Sequence, residues 1–456
     1  MHEQLSEWED TITALATPPG VGAIGVIRLS GTNALPIANK IFKGKNLLLQ
    51  QSHTAHFGHI ISPSEKEETI DEVVVTIYKS PRSYTGQDIV EISGHGSPYI
   101  LGRILDATVV AGARLAKPGE FTQRAFLNGK LDLAQAEAVA DLIAANTKAA
   151  QKTALAQLRG GFSDELKELR EQLINFAALI ELELDFSQED VAFADRKGLE
   201  VLIQNLKFKI QNLIKSFEYG NAIKNGISVA IIGKPNAGKS TLLNALLNEE
   251  RAIVSDIAGT TRDTIEEILN IQGILFRLID TAGIREHTRD VVENIGIERS
   301  RANAEKANLI LYLIDATDKE AEDIDWLKNL QEKIITVYNK SDLRAQPLPA
   351  TDDVILISAK EKKGIDVLKQ HMYEKALGDT AHVESTVVTN ARHQTALTKV
   401  LESLYEIQSG MEHNISGDLL ALDIRRALHY LGEITGQVEV DRDILGTIFG
   451  KFCIGK

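Results

Sequence analysis

The stretch ISVAIIGKPNAGKSTLLNALL carries the residues best suited to chemistry. Gly233 to Ser240 spell G-x-x-x-x-G-K-S between an apolar β-branched run and a helical pattern, which is the strand–loop–helix context of a P-loop. Glycines let backbone N–H groups turn inward around phosphates at a helix N-terminus. Lys239 offers a positive charge to the β- and γ-phosphates, and the Ser240 hydroxyl is a Mg²⁺ ligand. The stretch predicts a site for a nucleoside triphosphate with Mg²⁺.

Four further motifs follow in the order that a nucleotide switch requires. GTTRD offers Thr261 as a second hydroxyl ligand for Mg²⁺, and LIDTAG places Asp280 near the metal and Gly283 against the γ-phosphate. In VYNKSD, the Asp342 carboxylate can accept both the N1–H and the N2–H of guanine, a pairing that adenine cannot offer. ISAK closes the series. Four motifs in this order predict GTP as the nucleotide.

One position departs from Ras-like switches, where a glutamine after D-x-x-G orients the attacking water. Here that residue is Ile284, which cannot hold a water. Acids and arginines in the following GIREHTRDVVENIGIERS are the candidates for the missing role. Taken alone, each of them is better explained as a solvated charge on a helix face.

Length, charge and cysteine usage restrict the class of protein. The chain has 456 residues, enough for two or three domains. Its net charge of −14 argues against a general nucleic-acid coat or a DNA-binding role but leaves room for a local basic site for one RNA. Cys453 is the only cysteine, which favours a reducing compartment. The acidic start and the lack of a long apolar stretch predict a cytoplasmic protein without a membrane span.

Proline and periodicity divide the chain. Seven of the ten prolines lie at or before Pro118, in a region of β-branched runs with two helical stretches that predicts an α+β domain over residues 1–120. Helical stripes of apolar residues fill 121–221 and return in 379–456, so both parts are expected to form one helical bundle. Residues 222–378 are then an inserted, Ras-like α/β domain with the P-loop.

With these residues in hand, the chain resembles the MnmE (TrmE) family of tRNA modification GTPases over essentially its full length. The resemblance lies in the blocks ATPPGVGAIGVIRLSG, SYTGQDIVEISGHG, KPGEFTQRAFLNGKLDLAQAEAVADLI, GKPNAGKSTLLNAL, DIAGTTRD, DTAGIRE and the terminal FCIGK. It extends well beyond the motifs that all GTPases share.

The resemblance implies a specific activity. The family has an N-terminal folate-binding and dimerisation domain, a helical domain and an inserted G domain. With a flavin-bearing partner, MnmG, it adds an aminomethyl-type group (carboxymethylaminomethyl) to carbon 5 of the wobble uridine of certain tRNAs. The one-carbon unit comes from a tetrahydrofolate, in the 5-formyl or the 5,10-methylene form. A homodimer, a heterotetramer with MnmG, FAD on the partner only, and K⁺-dependent activation by G-domain dimerisation are expected.

The resemblance also assigns residues. Glu293 matches the family's water-orienting glutamate, and Cys453 is a candidate catalytic residue. The K⁺ ligands would be Asn236, Ser255, Ile257 and Thr260, and the Mg²⁺ ligands Ser240 and Thr261. The folate-binding residues would be Arg28, Glu91, Lys130 and Lys456. The expected GTP-binding residues are Asn236, Ala237, Gly238, Lys239, Ser240, Thr241, Ser255, Asp256, Ile257, Ala258, Gly259, Thr260, Thr261, Asp280, Thr281, Ala282, Gly283, Asn339, Lys340, Asp342, Ser358, Ala359 and Lys360.

Several alternatives remain open at this point. Cys453 is either a buried inert thiol or part of the modification site, and without the resemblance Arg28 and Lys130 read as ordinary surface charge. A ribosome-assembly GTPase would share the G-domain motifs but carries basic RNA-binding modules, whereas residues 1–130 hold 12 Lys/Arg against 13 Asp/Glu. A septin-like polymerising GTPase leaves the N-terminal block and the tail unexplained.

Overall fold

The structure is a computed structural model that describes residues 10–63, 68–185, 196–250, 267–279, 301–318, 325–343, 354–377, 386–413, 415–437 and 455. The chain divides into two compact units. The first comprises residues 1–140, 158–163 and 432–456, and the second comprises 141–157 and 164–431. The two units are described separately.

The first unit is built on a seven-stranded sheet. Its strands are β1 (Ile12–Leu15), β2 (Ile24–Ser30), β3 (Phe42–Lys43), β4 (Thr54–Ile61), β5 (Thr69–Tyr78), β6 (Ile89–His95) and β7 (Arg114–Leu115), in the order β3-β4-β5-β6-β2-β1-β7. All neighbours pair antiparallel except β1 and β7. Helices α1 (Ala34–Ile41), α2 (Pro98–Val110) and α3 (Glu120–Leu127) complete the α+β architecture, as the sequence predicts.

Alternation along the strands explains which face of this sheet is buried. In β5, Val73, Val75 and Ile77 are buried against α1 and α2, whereas Val74 is exposed on the opposite face. One of the two predicted helical stretches is α1, which ends at Ile41 because Phe42 belongs to β3. The two-residue strands β3 and β7 were not predicted, because two residues are too short to show a period.

Four helices follow the first sheet: α4 (Leu133–Ala144), α5 (Lys148–Leu158), α6 (Gly161–Asp185) and α7 (Arg196–Asn225). They confirm the helical pattern predicted from the apolar stripes. The break between α4 and α5 is a capped turn, where the Thr147 hydroxyl accepts a hydrogen bond from the N–H of Ala150 at 3.1 Å.

The G domain is a six-stranded sheet with helices. Strands β8 (Ile227–Gly233), β9 (Glu267–Ile271), β10 (Ile274–Leu278), β11 (Leu309–Asp315), β12 (Ile334–Asn339) and β13 (Val354–Leu356) lie in the order β13-β12-β11-β8-β10-β9. Only β9 and β10 pair antiparallel. The helices are α8 (Lys239–Glu250) and α9 (Ile365–Leu377). β8, β11 and β12 end side by side, and in such sheets ligands bind beyond the carboxyl ends of the strands.

Two more helices, α10 (Ala391–Glu412) and α11 (Gly417–Thr435), follow the G domain. Asn390 caps α10 by accepting a hydrogen bond from the N–H of Arg392 at 3.0 Å. α10 packs along α7 through a buried stripe that includes Leu397, Val400 and Leu404. Helices from the parts of the chain before and after the G domain therefore pack against each other. Among the helices of the described residues, none is long and apolar enough to cross a membrane.

Candidate functional site

The P-loop backbone takes the shape that its glycines permit. Gly233 ends β8 with φ of 157°, and a Cβ placed there would overlap the carbonyl oxygen of Leu313 on β11. Gly238 precedes α8 with φ of 97°, and a Cβ there would overlap the amide of Asn339. A residue with a side chain would be strained at both positions, so the glycines allow the neighbouring elements to approach the loop.

Lys239 lies in the first turn of α8 and reaches back across the loop. Its ammonium group donates hydrogen bonds to the carbonyl oxygens of Gly233 and Lys234, the second at 2.9 Å. Burial lowers the pKa of Lys239 from its ordinary value. A phosphate brought next to this ammonium would stabilise the charged form. The geometry is that of a cation held at the floor of an anion site.

Asn339, at the end of β12, joins three motifs. Its side-chain N–H donates to the carbonyl of Ala237 in the P-loop at 2.9 Å, and its side-chain oxygen accepts from the N–H of Ala359 at 3.0 Å. The side chain is buried, with 2% exposure. One amide thus fixes the P-loop, the N-K-x-D segment and the S-A-K segment relative to one another.

Asp342 and Lys340, the other two defining residues of N-K-x-D, are held by different partners. The Ser358 hydroxyl donates to Asp342 at 2.6 Å, and this bond, with nearby lysine charges, lowers the pKa of the exposed Asp342 carboxyl. Lys340 has a left-handed backbone, φ of 63°, and pairs with Asp315 at 2.5 Å. Burial alone would raise the pKa of Asp315, but hydrogen bonds from Lys340 and Thr317 outweigh it and lower it. Asp342 is therefore a fixed, ionised acceptor, suited to the two N–H groups of guanine.

The structure brings together the described part of the predicted nucleotide site. Asn236 to Thr241 form the loop and the start of α8, and Ser358, Ala359 and Lys360 lie beside Asn339 and Asp342. The remaining predicted site residues lie outside the described residues: Ser255, Asp256, Ile257, Ala258, Gly259, Thr260, Thr261, Asp280, Thr281, Ala282, Gly283, Glu293, Cys453 and Lys456.

A second candidate site lies in the first unit, where Arg28 on β2 and Glu91 on β6 are direct cross-strand partners. Arg28 donates through Nε to Glu91 at 2.8 Å, and its Nη2 is also 2.8 Å from the same carboxylate oxygen. Both side chains are 22% exposed. The pair is a donor and an acceptor fixed side by side at a partly open surface.

Aromatic rings and the chain terminus surround this pair. The Arg28 guanidinium lies 5.8 Å from the ring centre of Tyr84 and 5.7 Å from that of Phe121, and its Nη1 is 3.5 Å from the carbonyl oxygen of Gly455. Burial, and then the charge of Glu91, raises the pKa of Tyr78 on the adjacent strand. No sequence pattern pointed to Tyr84 and Phe121 beyond their residue type.

Lys130 lies beside the loop that carries Tyr84. A Cβ built on Gly86, two residues after Tyr84, would be 3.2 Å from the Lys130 Cε, and the N–H of Lys130 donates to the carbonyl of Ala125 at 2.8 Å. Asn128 ties the same turn to the loop by donating to the carbonyl of Thr85 at 2.7 Å. Lys130 therefore borders the loop that carries Tyr84.

A buried ionic cluster holds this region in place. Glu120 is 0% and Arg124 1% exposed, and they pair at 3.0 Å while Asp10 and Arg114 complete the network. Burial would raise the pKa of Glu120, but the hydrogen bonds from Arg114, from the N–H of Lys117 and from Arg124 together outweigh it, so the pKa is lowered. Arg124 also donates to Gln87 at 3.2 Å, at the end of the Tyr84 loop. Removing one member would leave buried charge uncompensated.

The second unit defines the class of protein: a P-loop, N-K-x-D and S-A-K segments joined by Asn339 identify a P-loop G protein, here with an added α+β unit. The MnmE helical domain model matches residues 133–453, and the model of the GTP-binding protein TrmE N-terminus matches residues 11–130. The chain therefore belongs to the MnmE (TrmE) family of tRNA modification GTPases, which makes it a GTP hydrolase.

Curated relatives agree with the family over nearly the whole chain. It is 53% identical to the tRNA modification GTPase MnmE of Cytophaga hutchinsonii and 50% identical to that of Flavobacterium johnsoniae, covering 98% of this chain in both cases and 98% and 99% of those proteins. Among solved structures, it is similar to the G domain of the T. maritima FeoB iron transporter, with 24% identity, 33% of this chain and 98% of that chain covered, and a TM-score of 0.23.

Proposed function

We propose that this GTPase acts in tRNA wobble-uridine modification in the cytoplasm. Together with the flavin-bearing partner MnmG, it adds a carboxymethylaminomethyl-type group to carbon 5 of the uridine, with a tetrahydrofolate as the one-carbon donor. The observation that carries the proposal is similarity over 98% of the chain to relatives named as tRNA modification GTPases. A homodimer and a heterotetramer with MnmG are part of the proposal.

In the G domain, each described residue has a chemical role that suits GTP. Asp342 accepts the guanine N–H groups, Asn339 holds the base loop against the P-loop, and Lys239 binds the β- and γ-phosphates. Ser240, in the first turn of α8, has the hydroxyl oxygen that Mg²⁺ requires, with Thr261 as its proposed companion. Bound Mg²⁺ would offset the charge that develops on the phosphates.

Potassium and the attacking water concern a second group of residues. Asn236 has a left-handed backbone with φ of 65° and is exposed at the top of the P-loop, so its side-chain oxygen is open to a cation. K⁺ there would supply positive charge beside the phosphates, as an arginine finger does. Ser255, Ile257 and Thr260 are its proposed further ligands. Glu293 is proposed to orient the water in place of Ile284.

In the first unit, we propose that the Arg28–Glu91 pair binds the folate with Lys130 and Lys456. A pterin edge carries both donors and acceptors, which matches a guanidinium beside a carboxylate, and a flat ring matches the adjacent Tyr84 and Phe121. Gly455, which contacts Arg28, directly precedes Lys456 and is two residues from Cys453 in the chain. We propose that the tail serves the modification site, with Cys453 as its candidate reactive group.

Mass spectrometry of tRNA from a strain lacking the gene tests the proposed function. We expect the wobble uridines to lose their carbon-5 substituent, and the wild-type gene to restore it. A Lys239→Ala gene is the matched control, since it should produce a folded protein without phosphate binding and fail to restore the substituent. Intact wobble uridines in the deletion strain would refute the proposed function.

A further inference from the structure

His95, at the end of β6, forms a pair with Asp71 on β5 that no step above uses. The ring Nδ1 is 2.7 Å from Asp71 Oδ1, and the backbone N–H of His95 donates to Asp71 Oδ2, also at 2.7 Å. The Asp71 side chain is 7% exposed, whereas the His95 side chain is 68% exposed. Because the carboxylate can only accept, Nδ1 carries the proton, and Nε2 is left facing outward.

Two glycines make this arrangement possible. A Cβ on Gly94 would lie 2.6 Å from Asp71 Oδ2, so any other residue would displace the carboxylate from His95. A Cβ on Gly96 would lie 2.5 Å from the carbonyl oxygen of Gly22, and the N–H of Gly22 donates to the carbonyl of Gly96 at 3.0 Å. Gly94 thus allows Asp71 to approach His95, and Gly96 allows the backbone after β6 to lie against Gly22.

His95 follows the same alternation as Glu91 along β6 and so belongs to the sheet face of Arg28 and Glu91, whereas Asp71 alternates with the buried Val73 on the helix-covered face and reaches His95 at the end of β6. Cross-strand partners point the same way, and the register places Ile24 opposite His95 just as Arg28 is opposite Glu91. The two pairs are four residues apart along the strands, or about 13 Å at the rise of a β-strand. Between them lies the pair of Val26 and Ser93, which is half-buried and small.

This face therefore has three zones in line. A charged donor–acceptor pair lies at one end, a small and partly apolar floor at the centre, and a fixed histidine beside the exposed Ile24 at the other end. A tetrahydrofolate has the same order of groups: a pterin, an aminobenzoyl ring, and a glutamate attached through an amide. The spacer keeps the pterin and the glutamate well apart, so each end needs its own partner.

We propose that His95, held by Asp71, binds the glutamate tail of the tetrahydrofolate whose pterin lies at Arg28 and Glu91. The inference rests on the proposed folate site and adds its second end. A protonated ring donates from Nε2–H to a tail carboxylate, and a neutral ring accepts the tail's amide N–H at Nε2. In both protonation states His95 contacts the glutamate tail and does not contact the pterin that carries the one-carbon unit.

Calorimetry with two ligands on the full chain tests this inference. 5-Formyltetrahydrofolate carries the tail, and 5-formyltetrahydropteroate has the same pterin, formyl group and aminobenzoyl ring without the glutamate. We expect His95→Ala to weaken binding of the first ligand about tenfold, as for a lost hydrogen bond to a charged group, and to leave the second unchanged. His95→Gln, which can both donate and accept, should recover part of the loss.

The control variant is His59→Ala, a half-exposed histidine on the same sheet face that pairs with Glu72 at 3.9 Å. It should bind both ligands as the wild type does. Equal weakening of both ligands by His95→Ala would mean a structural role only and would overturn the inference. Equal affinity of the wild type for the two ligands would overturn it as well, while the folate site stands. If the wild type binds neither ligand, the folate part of the proposed function fails and the inference fails with it.

Discussion

Asn339→Ala should destabilise the G domain and its nucleotide site together. The substitution removes two hydrogen bonds, of 2.9 Å to the carbonyl of Ala237 and of 3.0 Å from the N–H of Ala359, from a side chain that is 2% exposed. Each buried partner left unpaired costs about 1–3 kcal/mol, so for two partners we expect a loss of about 2–6 kcal/mol in the free energy of unfolding of the G domain. If about 1.4 kcal/mol of this loss also weakens the binding free energy of GTP, the affinity for GTP falls about tenfold.

Two assays separate the parts of this prediction. Urea unfolding of nucleotide-free protein reports the stability, and titration with a fluorescent GTP analogue reports the affinity. Asn339→Asp should be at least as harmful as Asn339→Ala, because it keeps the acceptor for Ala359 but places a carboxylate oxygen against the carbonyl of Ala237. Asn221→Ala, on the surface of α7, is the control and should stay within about 0.5 kcal/mol of the wild type. An unchanged urea midpoint for Asn339→Ala would refute the reasoning.

Four further predictions concern separate parts of the chain. Asp342→Asn should reduce GTP affinity because an acceptor becomes a donor, and an unchanged GTP/ATP preference in a nucleotide titration would remove it from the base site. Glu293→Ala should lower kcat by about 10²-fold or more in KCl with little change in GTP affinity. GTP turnover by the wild type should be much faster in K⁺ than in Na⁺ at matched ionic strength. Arg28→Ala should weaken binding of a tetrahydrofolate in calorimetry without altering basal GTP turnover; normal folate binding would contradict the site. The pKa of Glu120 is lower in the folded protein than its ordinary value of 4.5, so the ionised carboxylate stabilises the fold above pH 4.5. This stabilisation is lost as the pH falls through the folded-state pKa. Glu120→Gln should therefore flatten the acid side of the stability–pH curve, measured by urea unfolding between pH 7 and pH 3, and an unchanged slope would show that the cluster carries no such linkage.

Local sequence patterns predicted the helices, the strands and the nucleotide-binding motifs. Contacts between residues far apart in the chain could not be predicted from these patterns. The P-loop was predictable because its chemistry lies in eight consecutive residues, from Gly233 to Ser240. Asn339 was predicted as part of N-K-x-D, but its bond to Ala237 joins residues 102 positions apart, which no local pattern encodes.

The first unit shows the same division. Its five long strands were predicted from β-branched runs, but the rings of Tyr84 and Phe121 beside Arg28 depend on how a loop and a helix pack on the sheet. The Asp71–His95 pair joins positions 24 apart on two strands. The one feature of the sequence that pointed to this pair was the presence of a glycine on each side of His95. A glycine indicates that another group approaches the backbone closely, but it does not identify that group.

The chain that returns from the G domain contacts the same helix, α7, that leads into it. α7 leads directly into β8, and after the G domain the chain passes α7 again, where the N–H of Val388 donates to the Ser216 hydroxyl at 3.0 Å. A Cβ on Gly220 would overlap the carbonyl oxygen of Val388, so the contact is backbone against backbone. Gln157 of α5 holds the preceding residue by donating to the carbonyl of Val387 at 2.8 Å. Entry and exit of the G domain are therefore fixed within a few residues of each other on one helix.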